Sequence, residues 1–248
     1  MPDITLFDVA VFLAGAFTAA FVTGIAGFAF GIVAAAFWLH VLTPVQTTAL
    51  IVTYALLVQG YAVWKLRHAL NVGRLVPFIA GSALGIPLGI VILQWASPSS
   101  LRTTVGLLLI LFSLYNLMRP HLPQMRQAGS TSDAIVGVFN GTLGGSTGLG
   151  GILPAIWCGM RGWSKDEQRA VFQPTAVATF LMIIIWLGGA GTITTDIVRL
   201  LGIGLPAVVA GTWLGWALYG RLDEATFRKV VLGVVLASGA ALIATSGR

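Results

Sequence analysis

Hydrogen-bond donors suited to an oxyanion are concentrated in one stretch of this chain, the run NGTLGGSTGLGG from Asn140 to Gly151. Asn140, Thr142, Ser146 and Thr147 supply amide and hydroxyl donors. Gly141, Gly144 and Gly148 let an anion's oxygens approach the backbone closely. Glycine also weakens a helix by roughly 1 kcal/mol per residue relative to alanine, so this density predicts a break in the helix that carries it. Where a helix restarts after a break, its first N–H groups and the positive end of its dipole favour negative charge. The competing reading is that these glycines only allow helices to pack tightly.

The pattern has a second copy. Thr23, Gly24, Gly27 and Gly31 repeat the spacing of Asn140, Gly141, Gly144 and Gly148. Gln173, followed by Pro174 within an apolar run, is a further candidate, because a buried amide needs partners. Its alternative is a helix-to-helix bond beside a proline kink. Arg169 is a candidate anion contact or an orientation charge, and His40 a candidate proton carrier or an interfacial residue beside Trp38. The eight acidic residues fall in loops or near segment ends, and no H-E-x-x-H, carboxylate pair or Ser/His arrangement stands out. One cysteine and three histidines show no metal-ligand spacing. Neither an enzyme, a metal nor a cofactor is expected.

These residues must be positioned by membrane helices. The 248 residues are 57% hydrophobic and 9% charged, with a mean hydropathy of +0.92. Apolar runs able to cross a hydrocarbon layer of about 30 Å lie near 44–64, 75–95, 101–119, 168–190, 199–220 and 229–246. A net charge of +6 is spread through short loops, which points to orientation in the membrane and away from nucleic acid. Residues 1–8 carry no Lys or Arg, so the first helix is expected to be retained.

Two further apolar regions, 5–42 and 134–157, contain the glycine motifs. If each crosses once, the 14 basic residues divide seven to seven between the faces. If each is a hairpin returning to its own side, eleven share one face and only Arg102, Arg199 and Arg248 lie opposite. The asymmetry of positive charge favours hairpins, with both termini and the loop near Thr194 outside.

Capping boxes follow each hairpin. Thr43 with Gln46, and Ser164 with Glu167, place a hydroxyl three residues before a side chain that reaches back, and Pro44 suits a first helical position. Gly81, Gly85 and Gly89 in one half, and Gly211 and Gly215 in the other, are spaced for close helix packing. One hairpin and three crossings is an odd number of traverses, so the second half enters from the opposite face. The expectation is an all-α polytopic membrane protein of one domain, 1–248. It is built from two inverted repeats, about 5–119 and 133–247, each a glycine-broken helical hairpin followed by three transmembrane helices.

With these motifs the chain resembles the TauE/SafE family of sulfite and sulfonate transporters. The segment VGVFNGTLGGSTGLGGILPAIWCGMRGWSKDEQRAVFQPTAVAT matches the second repeat, and AAFVTGIAGFAFGIVAAAFWLHVLTPVQTTALIV the first. The first copy departs from the family in carrying Phe28, Ala29 and Phe30 where small residues are usual. The resemblance implies a multi-pass inner-membrane carrier for small sulfur-containing anions. Substrate would sit between the paired hairpin tips under alternating access, with Thr23, Gly24, Gly27, Asn140, Gly141, Thr142, Gly144, Ser146, Thr147, Gly148 and Gln173 around it. An anion channel, or a carrier for a non-sulfur carboxylate, is the alternative. The expected partners are the anion and the bilayer, and a homodimer is left open.

Overall fold

The computed structural model describes residues 5–26, 29–66, 71–118, 125, 128–218 and 224–246. All regular structure among them is helical. The helices are α1 Leu6–Ala26, α2 Phe30–Trp38, α3 Pro44–Leu66, α4 Val72–Trp95, α5 Pro98–Met118, α6 Ser130–Thr147, α7 Ile152–Met160, α8 Lys165–Gly189, α9 Thr195–Leu218 and α10 Glu224–Thr245. The six spans expected from hydropathy fall on α3–α5 and α8–α10, with ends shifted by a few residues. Among the described residues, five helices, α1, α4, α5, α8 and α9, are long and apolar enough to cross a membrane. By contrast α2 and α7 have nine residues each, about 13 Å at 1.5 Å per residue, too short to cross.

Side-chain caps open several of the long helices, although α6 starts at Gly129 without one. Thr43 and Gln46 form the expected box at α3, where the Gln46 amide donates to Thr43 Oγ1 at 3.3 Å and the Thr43 amide to Gln46 Oε1 at 3.1 Å. Ser164 and Glu167 form the second box at α8. Thr5 and Asp8 form one at α1, and Asn71, Ser97 and Thr194 cap α4, α5 and α9 through their side chains. Each leaves an N-terminal amide satisfied. Neither α2 nor α7 has a side-chain cap; each follows a left-handed residue, Ala29 at φ 84° and Gly151 at φ 93°.

The chain divides into two compact units. One comprises Met1–Ile51, Ala96–Pro120 and Thr194–Arg248, the other Val52–Trp95 and His121–Ile193. Both draw on both sequence halves, and the division falls inside α3.

In the first unit α9 packs along α1, α5 along α10 and α2 against α1. A Cβ on Gly211 or Gly215 would collide with the carbonyl oxygens of Phe17 and Phe21, so α9 lies backbone to backbone on α1. The returning helix is antiparallel to α1: Trp38 Nε1 donates to the Phe12 carbonyl at 3.0 Å, and their rings stand 5.3 Å apart.

In the second unit α4 packs most extensively on α6, with α7 and α8 beside them. A Cβ on Gly81, Gly85 or Gly89 would strike the carbonyls of Ala134, Val138 and Thr142. Reciprocally, Gly137 and Gly141 abut the carbonyls of Phe78 and Ser82. Two glycine rows of period four therefore interlock along parallel helices, as small-residue packing in membranes requires.

The chain also doubles back here. Near the start of α6, buried Asp133 accepts from Trp157 Nε1 at 2.7 Å and pairs with Arg161 at 3.6 Å, so the end of α7 lies beside the start of α6. Arg74 pairs with Glu167 at 2.9 Å, and the Arg74 and Arg161 guanidiniums lie 4.6 and 5.2 Å from the centre of the Trp163 ring. Arg74 and Arg161 thus share one end of this unit.

Candidate functional site

Helix α6 does not break across its whole glycine-rich stretch. It runs through Gly141, Thr142, Gly144, Gly145 and Ser146 to Thr147, and only Gly148 to Gly151 leave the helix. The six glycines divide by task. Gly141 and Gly145 face α4, where their missing side chains allow the close approach. Gly144 faces inward instead, where a Cβ would lie 3.2 Å from Gly150 Cα, 3.2 Å from the Ile183 side chain and 3.3 Å from that of Thr179. Gly148, at φ 77°, donates its amide to the Gly144 carbonyl at 2.8 Å and closes α6; Gly151, at φ 93°, opens α7. Both have the left-handed conformation that glycine adopts without a steric cost.

The break is enclosed by buried polar side chains. Asn140, fully buried, accepts from the Gly151 amide at 2.7 Å and donates to Ser82 Oγ at 3.2 Å and Thr179 Oγ1 at 3.3 Å. Thr147 Oγ1 donates to the Leu143 carbonyl and accepts from the Leu149 amide. Ser146 donates to the Thr142 carbonyl of its own helix, and the single Thr142 hydroxyl hydrogen is shared between the Val138 carbonyl and the Gly85 carbonyl of α4. A hydroxyl carries one hydrogen, so these side chains stand in the structure with that hydrogen directed at the backbone. Gln173 is buried on α8, two residues before Thr175, whose hydroxyl is buried with no hydrogen-bond partner. Ala176 packs against the break, 2.7 Å from where a Gly151 Cβ would lie.

Open donors therefore come from the backbone. The Gly151 amide is taken by Asn140 and Pro154 has no N–H, which leaves Ile152 and Leu153 as first-turn donors of a helix without a side-chain cap. Sequence reading missed Ser82 and Thr179. Ser82 is hidden within a glycine row and Thr179 within an apolar run, and the only signal was the four-residue step from Thr175 to Thr179.

The first copy differs at the positions that are described. Gly27 and Phe28 lie outside the described residues. Thr23 is buried and donates to the Ala19 carbonyl at 2.7 Å, and Gly24 packs against the Thr212 carbonyl and Gly215 of α9, the role Gly141 has on α4. Gly31, matched in sequence with Gly148, lies within α2 and does not cap α1. The left-handed position is held by Ala29. The sequence equivalence thus extends to the packing glycines and stops at the break.

The two remaining candidates lie elsewhere. Arg169 is exposed on the first turns of α8. His40 lies in the turn after α2 and lines a cavity of about 480 Å³ with Phe7, Asp8, Val11, Phe37 and Ser238. Ser238 Oγ donates to the Ala36 carbonyl, so the 3.0 Å contact with His40 takes its hydrogen from His40 Nε2. Burial, with the Arg102 charge second, holds the His40 pKa below its ordinary value and keeps the ring neutral.

Comparison with known proteins agrees with this architecture. Residues 11–242 match the family described as sulfite exporter TauE/SafE. A probable sulfite/organosulfonate exporter TauE from Cupriavidus necator (strain H16) is 26% identical over 208 residues, covering 82% of this chain and 80% of that protein. No solved structure matches the chain. A match over nearly the whole length, on helices able to span a membrane, makes this a multi-pass membrane protein that transports and does not catalyse: the chain belongs to the TauE/SafE family of sulfite exporters.

Proposed function

We propose that the chain is an inner-membrane carrier that exports small sulfur oxyanions, sulfite or an organosulfonate, by alternating access. The observation that carries this reading is the start of α7: an uncapped helix N-terminus, opened by left-handed Gly151, held inside a membrane protein. In hydrocarbon an unsatisfied N–H costs several kcal/mol, so such donors are kept where they meet a ligand or water. The helix dipole adds to them, and an anion bound there satisfies both. The Ile152 and Leu153 amides are the proposed oxygen contacts; Thr142, Ser146 and Thr147 shape the wall.

The sulfur class comes from the Cupriavidus relative's described activity, and export from the family. The antiparallel pairs α1/α2 and α6/α7 support reading both glycine regions as re-entrant hairpins, and hence the halves as inverted repeats. Purified protein in liposomes, offered sulfite, thiosulfate, sulfoacetate and a carboxylate such as acetate, is expected to carry the sulfur anions in preference. Gly144→Val, which wedges a side chain between α6 and the break, is expected to insert normally and lose transport. Normal transport by that variant would refute this site.

A further inference from the structure

Asn140 has the residue type of an oxyanion ligand, yet its bonds in the structure are all to the protein. Its amide has two hydrogens, and they go to Ser82 Oγ and Thr179 Oγ1. Each hydroxyl has only one hydrogen, and each is already committed: Ser82 Oγ donates to the Gly137 carbonyl at 3.1 Å and Thr179 Oγ1 to the Thr175 carbonyl at 2.8 Å. Toward Asn140 they can therefore only accept. That fixes the amide, because turning it over would set its oxygen against two acceptors and its NH₂ against the Gly151 N–H. Oδ1 is thereby aimed at the Gly151 amide, 2.7 Å away and eleven residues on. All three side chains are fully buried, so water does not compete for these bonds.

We infer that Asn140 is a positioning residue: with Ser82 on α4 and Thr179 on α8 it clamps the Gly151 amide, and so sets where α7 begins and where its first free N–H groups point. With both donors spent, it does not itself ligate the anion. The inference rests on the proposed anion site for its functional consequence, while the clamp is a property of the fold.

Two measurements on the full-length protein separate the clamp from the transport reading. The first is amide hydrogen exchange over residues 148–153 in wild type, Asn140→Ala and the double variant Ser82→Ala/Thr179→Val. Loss of a buried hydrogen bond predicts exchange at Gly151 at least about tenfold faster in both variants. The second is sulfite transport in liposomes. Because the three side chains act as one unit, the triple variant is expected to raise KM no further than Asn140→Ala alone.

Unchanged protection at Gly151 in the double variant overturns the clamp. So does a double variant with wild-type KM beside a defective Asn140→Ala, which would make Asn140 a direct ligand. Faster exchange in a protein that carries no sulfur anion leaves the clamp standing and overturns the transport reading. If Asn140→Ala does not fold, the double variant, which keeps Asn140, supplies both readouts.

Discussion

At the scale of single residues, the chain places one residue where glycine is expected and several glycines where they prevent a collision. Ala29 holds a left-handed conformation at φ 84°, costing an L-residue with a Cβ on the order of 1 kcal/mol. Ala29→Gly is therefore expected to stabilise the protein by about 1 kcal/mol, seen as a raised thermal midpoint in detergent. Gly151→Ala should do the reverse, since its Cβ would combine a positive φ with a 2.7 Å approach to Ala176. Both lowered stability and impaired transport are expected from it, and a neutral result would show that the break is looser than described. The sequence made the stretch from Gly141 to Gly151 conspicuous without sorting it. A glycine beside a neighbouring carbonyl and a glycine at positive φ are the same letter, and only the partner helix or the dihedral distinguishes them.

At the scale of elements, interlocked backbones and a buried polar latch hold each part in place. Gly85 faces the Val138 carbonyl and Gly141 the Ser82 carbonyl, so Gly85→Val must push α4 away from α6. Overpacking of this kind typically costs about 1–3 kcal/mol, read as a lowered thermal midpoint and a reduced yield of folded protein. Where the start of α6 meets the end of α7, Asp133 is 5% exposed and joins Trp157 to Arg161. Asp133→Asn leaves the partly buried Arg161 without its counter-charge and is expected to destabilise by about 3 kcal/mol, an effect that Asp133→Glu should partly restore. Helix starts were largely legible, because Thr43, Ser164 and Pro44 announce their caps locally. The Asp133 to Trp157 contact was not, since it joins residues 24 apart through a fold that hydropathy does not encode.

At the scale of the whole molecule, the compact units do not follow the sequence halves. The repeat spacing revealed that α4 and α9 carry matching glycine rows, but a row of small residues gives no address for its partner. The structure sets α4 on α6 and α9 on α1, so each row packs on the motif-bearing helix of the other half. Orientation rests on positive charge, which is counted without knowing contacts and favours hairpins. The Arg74–Glu167 pair and the shared Trp163 bring the starts of α4 and α8 together within one unit. A reporter fused near Thr194 is accordingly expected outside the cytoplasm, and one near Arg126 inside it; the opposite signals would reject the orientation.

The claim that most depends on all three scales is carrier-type transport of a sulfur oxyanion, and sulfite counterflow in proteoliposomes tests it most directly. Internal unlabelled sulfite is expected to accelerate entry of labelled sulfite, acetate inside is expected not to, and Gly144→Val is expected to abolish the exchange. Sulfite entry that is indifferent to internal sulfite would indicate a channel, and exchange driven by acetate in place of sulfite would contradict the account.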